Sequence, residues 1–223
     1  QGDSPTDRML AMQGTEEKKV EKEFYEKYYR LRIDLFNEIA EHNPQYRKKR
    51  EELVSITQKI LDRLIFIWFC EDSREELLPR DILQRLIGGL MKKDLRSEND
   101  VWDEIRKLFK AIDDGKGYNI GNGYNGELFK PDSRIDDLVI PNRIFEQQVK
   151  PIGEEYDFGH ENELSVNILG HIFEQSITDL EELKQGKPAD KKTGKRKREG
   201  VYYTPEYITR YIVQQALGGW LAE

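Results

Sequence analysis

Seven consecutive residues, Leu64 to Cys70 (LIFIWFC), carry no charged or amide side chain. They lie within a longer stripe, Leu53, Ile56, Ile60, Leu64 and Ile67, whose steps of three and four are those of a helix. A helix whose apolar stripe widens into a continuous run is apolar all round, so it must be buried on every side. The rest of the chain then has to wrap it. Trp68 and Phe69 are too large and apolar to be left in water together and should lie at the centre of the core. The run is far too short to span a bilayer.

Other segments supply wrapping helices. Phe24, Tyr28, Leu31, Leu35 and Ile39 define an amphipathic helix from about Val20 to Glu41, ended by Pro44. Leu78-Pro79 should stop the central helix. Ile82, Leu86 and Leu90 mark a third helix with Asp81 near its start. Ser97 to Asp100 offers caps for a fourth, carrying Val101, Trp102, Ile105, Leu108, Phe109 and Ile112. Residues 115–160 hold seven glycines and three prolines. They read as a long irregular segment laid over the helices, with room for a short strand pair. Leu164, Ile168, Ile172, Leu180 and Leu183 mark a fifth helix. The expected class is therefore mainly α: a polar tail (1–19), a multi-helix domain (20–183), a basic linker (184–199) and a separate C-terminal piece (200–223).

At 37% hydrophobic and 35% charged residues the chain is polar, but eleven Tyr, nine Phe and three Trp provide core anchors. The single cysteine, Cys70, excludes an internal disulfide framework and fits a reducing compartment. The N-terminal stretch is polar with no signal-peptide pattern, so a cytoplasmic location is expected. Residue 1 is not Met, which suggests a piece excised from a longer protein. Charge is uneven. Residues 184–223 carry nine basic and four acidic side chains, a surplus of five, so residues 1–183 hold −12 of the total −7. An acidic body argues against a broad DNA-binding face. The basic linker, with Lys195, Arg196, Lys197 and Arg198, could touch a few phosphates weakly.

Several motifs imitate active sites. Gly121, Gly123 and Gly126 match G-x-G-x-x-G, but Asp113-Asp114-Gly115 precedes them and Pro131 follows, so the strand and helix of a nucleotide site are missing and a turn is expected. Asn43-Pro44-Gln45-Tyr46 approaches the Asn-Pro-Pro-aromatic site of amino methyltransferases, in which an amide and a proline-fixed carbonyl hold an exocyclic amine. Gln45 breaks that pattern, and helix termination accounts for Pro44. His171 and Glu174 share a helical face at i, i+3, but the dinuclear metal sites that use this pair need it twice; no metal is assigned. Pro131-Asp132 with Glu182-Leu183-Lys184 could form a nuclease pattern, but Glu182 lies in a helical stretch rather than on a strand. Three scattered histidines make no Ser-His-Asp arrangement.

The last segment, GVYYTPEYITRYIVQQAL (Gly200 to Leu217), reads as strand, turn and helix. Val201, Tyr202 and Tyr203 favour an extended backbone. Thr204 suits the N-cap, Pro205 the first helical position and Glu206 the first turn. Ile208, Ile212 and Ala216 form one face, and Gly218-Gly219 stops the helix.

This stretch resembles the opening motif of N6-adenine DNA methyltransferases. Upstream, Gln58 to Leu78, YNGELF (Tyr124 to Phe129), YDF (Tyr156 to Phe158) and ILGHIFEQSI (Ile168 to Ile177) resemble, in order and spacing, the helical region of single-chain type IIG restriction–modification enzymes. The resemblance covers roughly Leu53 to Leu217. It implies a helical connector domain followed by the truncated start of an α/β methyltransferase domain. In the full-length bacterial enzyme, fused to an endonuclease in some members, S-adenosylmethionine would donate a methyl group to adenine N6 of double-stranded DNA. Tyr203, Thr204 and Pro205 would line the methionine end of the cofactor pocket. The family's Asp-Pro-Ala-Cys-Gly-Ser-Gly loop and Asn-Pro-Pro-Tyr site do not occur in this sequence, so it should hold no catalytic residue and be inert by itself, with its exposed C-terminal helix open to self-association. The alternatives are a stand-alone helical adaptor whose last helix docks a partner, and the methyltransferase subunit of a multi-subunit restriction or phage-defence system.

Overall fold

The computed structural model describes residues 5–158, apart from 74, 76, 94, 122 and 125, together with Gly170. The chain divides into two units, Gln1–Leu164 and Ser165–Glu223, and the architecture below is that of the first. It is built from α1 (Pro5–His42), a 3-10 turn (Pro44–Tyr46), α2 (Arg50–Glu71), α3 (Ile82–Met91), α4 (Asp100–Asp114), α5 (Ser133–Asp136), α6 (Asn142–Ile144), a π turn (Phe145–Val149) and α7 (Lys150–Glu155). No helix among the described residues is long and apolar enough to cross a membrane.

Helices α1 and α2 form an antiparallel hairpin. Arg50 lies over the Phe36 ring, and the Gln58 side chain donates to the Tyr28 hydroxyl at 3.1 Å. The expected stripe of α1, Phe24, Tyr28, Leu31, Leu35 and Ile39, is buried. The helix itself begins at Pro5 rather than near Val20. Proline is tolerated in a first turn, and nothing stronger than Gly14 interrupts the stretch after it. In α2 thirteen of twenty-two residues are buried over one wide face, whereas Ser55 is exposed and Gln58, Asp62, Phe66 and Phe69, along the opposite stripe, are only half-buried, so the helix is not enclosed on every side as expected. Trp68 and Trp102 are the core's largest side chains, while Phe66 and, against expectation, Phe69 lie half-buried at its edge.

The chain leaves α2 at Glu71, well before Leu78-Pro79. The Leu78 amide donates to the Cys70 carbonyl at 3.2 Å, folding the segment back on the helix end. Residues 71–72 are drawn into other contacts. Asp81, at the N-cap of α3, has a left-handed backbone (φ 52°) and makes no side-chain cap bond. Glu71 supplies that acceptor from a different helix: its Oε2 takes the Leu83 amide at 3.2 Å. Helix α3 packs on α4 and α7, and α7 comes so close that a Cβ on Gly153 would sit 1.9 Å from Gln84 Nε2 and 2.6 Å from Trp68 Nε1. All six apolar residues expected inside α4 are buried.

Residues 115–158 form no strand among the described residues, against the expected strand pair. The backbone groups that a ladder would satisfy go instead to buried side chains. Arg63 donates to the carbonyls of Leu128 (2.8 Å) and Lys130 (2.9 Å), its guanidinium lying over the rings of Phe109 and Phe129. Asn43 donates to the Val139 carbonyl and accepts the Val139 amide, both at 2.9 Å. Asn99 accepts the Ile140 amide at 2.8 Å, and Asn142 accepts the Val101 amide at 2.9 Å. The π turn ends two residues before Pro151, which can donate no helical bond and whose ring would press on the Gln147 carbonyl.

Two outcomes are expected. Trp68, 1% exposed and stacked on Phe158, should cost about 3–5 kcal/mol when replaced by alanine, read from urea unfolding; a wild-type-like unfolding curve would contradict a core centred on α2. Burial pushes the Glu71 carboxyl up to about 7, helped by the Asp72 and Asp81 carboxylates and opposed by the Leu83 amide and Gln84. In the unfolded chain it ionises near 4.5, so between these pH values the folded form holds the extra proton. Stability should therefore fall as pH rises from 5 to 8, by up to about 3 kcal/mol from this group. Glu71→Gln, which keeps a carbonyl acceptor, should flatten that dependence in urea unfolding at the two pH values; an equal slope in both proteins would contradict it.

Candidate functional site

The sequence blocks that carry the family resemblance are far apart in the chain, and three of them meet on one stretch of α2. Phe66 stands edge-on to Tyr124 (5.4 Å between centroids) and to Phe129 (5.1 Å), the first aromatic and the last residue of YNGELF. Trp68 stacks on Phe158 at 5.3 Å, and Phe69 meets the same ring edge-on at 6.1 Å. Phe24 of α1 closes the cluster, edge-on to Phe158 at 5.6 Å and to Tyr156 at 5.3 Å. Aromatic pairs at these separations add about 0.5–1.5 kcal/mol each beyond the area they bury. The cluster thus ties YNGELF and YDF to the helix end where the first block lies.

Polar bonds fix the same point. The Phe158 amide donates to Asp72 Oδ2 at 2.9 Å. Burial raises the Asp72 carboxyl above its ordinary range, and the Phe158 amide opposes the rise. The Tyr124 hydroxyl donates to the Leu77 carbonyl at 2.8 Å. Lys27 pairs with Glu155 and lies over the Tyr156 ring at 5.2 Å. Glu71 and Asp72 are adjacent acids, but each serves a different backbone amide, Leu83 and Phe158. They are clamps that hold α3 and YDF against the end of α2, rather than two carboxylates facing one substrate as acid–base chemistry requires.

The remaining candidates resolve into structural roles. Asn43 gives its side-chain amide to the Ile39 and Val139 carbonyls, and Tyr46 is 7% exposed with its hydroxyl donated to the Arg134 carbonyl. Neither side chain is available to a base. Gly123 lies in a turn pressed on the end of α4: a Cβ there would come within 2.3 Å of the Asp113 carbonyl. Asp132 caps α5 by accepting the Arg134 amide and is paired with Lys59 (3.2 Å) and Arg134 (2.7 Å), which hold its carboxyl well below the usual range. Glu38, Glu41 and His42 bring ligand atoms within 4.8 Å of one another, but Glu38 already faces Arg143 at 2.6 Å. The expected cofactor residues Tyr203, Thr204 and Pro205, the basic linker residues Lys195, Arg196, Lys197 and Arg198, and His171, Glu174 and Glu182 all lie outside the described residues.

Two features escaped the sequence reading. Glu71-Asp72 was visible as a pair of acids closing an apolar run, where a lone hydrophobic stop would have been simpler. Arg47-Lys48-Lys49-Arg50 is one of two runs of four consecutive cations in the chain, the other being Lys195 to Arg198.

Comparison with known proteins points the same way as the blocks. No family model matches the chain, and no solved structure matches it. The sequence is 30% identical over 181 residues to a putative type II restriction enzyme and methyltransferase of Methanocaldococcus jannaschii, an alignment covering 71% of this chain and 14% of that protein. The chain therefore spans about one seventh of the length of the curated relative it matches, and the relationship supported is to restriction–modification methyltransferases.

Proposed function

We propose that this chain is the helical connector of a type IIG restriction–modification protein whose complete form methylates adenine N6 in double-stranded DNA. The observation that carries the reading is the convergence of three blocks of the resemblance, Gln58 to Leu78, Tyr124 to Phe129 and Tyr156 to Phe158, on one aromatic cluster. A connector must deliver the chain to its next domain at a fixed place. Phe158, gripped by Trp68, Phe69 and Phe24 and bonded through its amide to Asp72, is such a place on the helical body. The similarity to a restriction enzyme and methyltransferase over 71% of the chain supports the restriction–modification part of this reading.

In the complete protein S-adenosylmethionine supplies the methyl group, and Tyr203, Thr204 and Pro205 line the methionine end of its pocket. The sequence-predicted helix start at Thr204-Pro205 would attract the methionine carboxylate. An exposed helix-terminal interaction contributes only about 0.3–1 kcal/mol, whereas micromolar affinity needs about 8 kcal/mol. Residues 1–223 by themselves are therefore inert, because methyl transfer needs the cofactor cradle, the amine-holding polar site and the stacking aromatic positioned together.

Plasmid DNA from cells expressing the complete reading frame should contain N6-methyladenine, read by mass spectrometry of the digested nucleosides. Residues 1–223 should add none and should show no micromolar binding of S-adenosylmethionine by calorimetry. DNA free of N6-methyladenine, or methylated only on cytosine, would sink the adenine assignment. Micromolar cofactor binding by residues 1–223 would show that the active site has been misplaced.

A further inference from the structure

We propose that the turn joining α1 to α2 is a phosphate-contacting surface that seats this acidic helical body on duplex DNA, an inference that rests on the reading of the chain as part of a DNA-modifying protein. Arg47, Lys48, Lys49 and Arg50 are all exposed, and no acidic residue occurs from His42 to Arg50. Arg134, also exposed but already paired with Asp132 at 2.7 Å, lies beside the turn: the Tyr46 hydroxyl donates to its carbonyl, and Lys49 lies over the Tyr46 ring at 5.8 Å.

The turn is held rigidly, so its cations are presented at a fixed place. Asn43, 2% exposed, is bonded to Ile39 and to both backbone groups of Val139. Arg47 donates to the Ala40 and Glu41 carbonyls at the end of α1, and Arg50 lies over Phe36 at 5.1 Å. Groups already ordered lose less freedom when a ligand arrives.

Local stability explains only part of the charge: Arg47 bonds the last carbonyls of α1 and Arg50 packs on Phe36, but Lys48 and Lys49 have no such need. Lys49 occupies the N-cap of α2 and makes no cap bond, where Ser, Thr, Asp or Asn would satisfy an amide. Cations at a helix start also oppose its dipole, and Glu51, Glu52 and the Lys49–Glu52 pair at 3.2 Å offset this only in part. A sequence that breaks a local rule at a rigid, exposed point marks a site kept for another purpose. Residues 1–183 carry −12, so a polyanion would be repelled by most of this body and attracted at the turn. That asymmetry sets which end of the body faces a duplex.

Fluorescence anisotropy of residues 1–223 with a short duplex, titrated with salt, reads the number of phosphate contacts as the slope of log affinity against log salt. Lys48→Ala/Lys49→Ala should lower that slope by about two and weaken binding about tenfold at about 50 mM salt, with an unchanged melt. Alanine at Lys195, Arg196, Lys197 and Arg198 should leave the contribution of the turn in place. The proposal is overturned if the double variant keeps the parent's slope and affinity, if the linker variant loses all binding, or if the parent binds no duplex at about 20 mM salt. Loss of adenine methylation in the complete protein would leave this result standing, and the reverse outcome would remove only the surface.

Discussion

Helix α2 buries more than half of its residues, and its buried face is not wholly apolar: Thr57, Arg63 and Glu71 are buried with it. A buried guanidinium or carboxyl without hydrogen bonds would cost several kcal/mol. The irregular segment after α4 has the complementary need, since its carbonyls and amides lie on the core without a ladder to pair them. Each satisfies the other. Arg63 takes the carbonyls of Leu128 and Lys130, Glu71 takes the amide that α3 leaves open, and Asp72 takes the amide of Phe158. The core helix therefore fixes where the loops lie through its polar residues as much as through its apolar ones.

The same arrangement suits the proposed connector role of the helical body. Short, irregular elements are poor at transmitting position, because few bonds hold each one. Here Tyr124, Phe129 and Phe158 are set edge-on or stacked against consecutive parts of α2, and Tyr156 is added from α7's end onto α1. Displacing the chain at Phe158 would disturb rings on both α1 and α2.

Long periodic helices were legible from residue spacing. The stripes of α1, α2 and α4 are the buried faces, because a helix of fifteen residues or more repeats its apolar positions several times. The pieces α5 and α6, four and three residues long, contain less than two turns and carry no period to read. Their positions depend on Asn43, Asn99, Asn142 and Arg63, which bond to backbone distant in sequence, and no local pattern announces such partners. Glycines and prolines in this region suggested hairpin turns, whereas Gly123 serves a close approach to the end of α4. Asn43 showed the opposite problem: beside Pro44 it imitated a base-binding motif, and only the contacts with Val139 reveal a clamp. The charged turn beginning at Arg47 was overlooked because the larger basic run near the C-terminus dominated the charge pattern.

Native-state hydrogen exchange on residues 1–223 addresses the central claim most directly, namely that α2 and the segments clamped to its end form one cooperative unit. Amides that open only with the whole unit exchange with the free energy of global unfolding. The amides of Ile60 to Cys70 should show this limit, and those of Leu83 and Phe158, bonded to Glu71 and Asp72, should match it. Exchange of the Phe158 and Leu83 amides at loop-like rates, with α2 still protected, would mean that the clamps do not hold and that the body fixes no exit point for the chain.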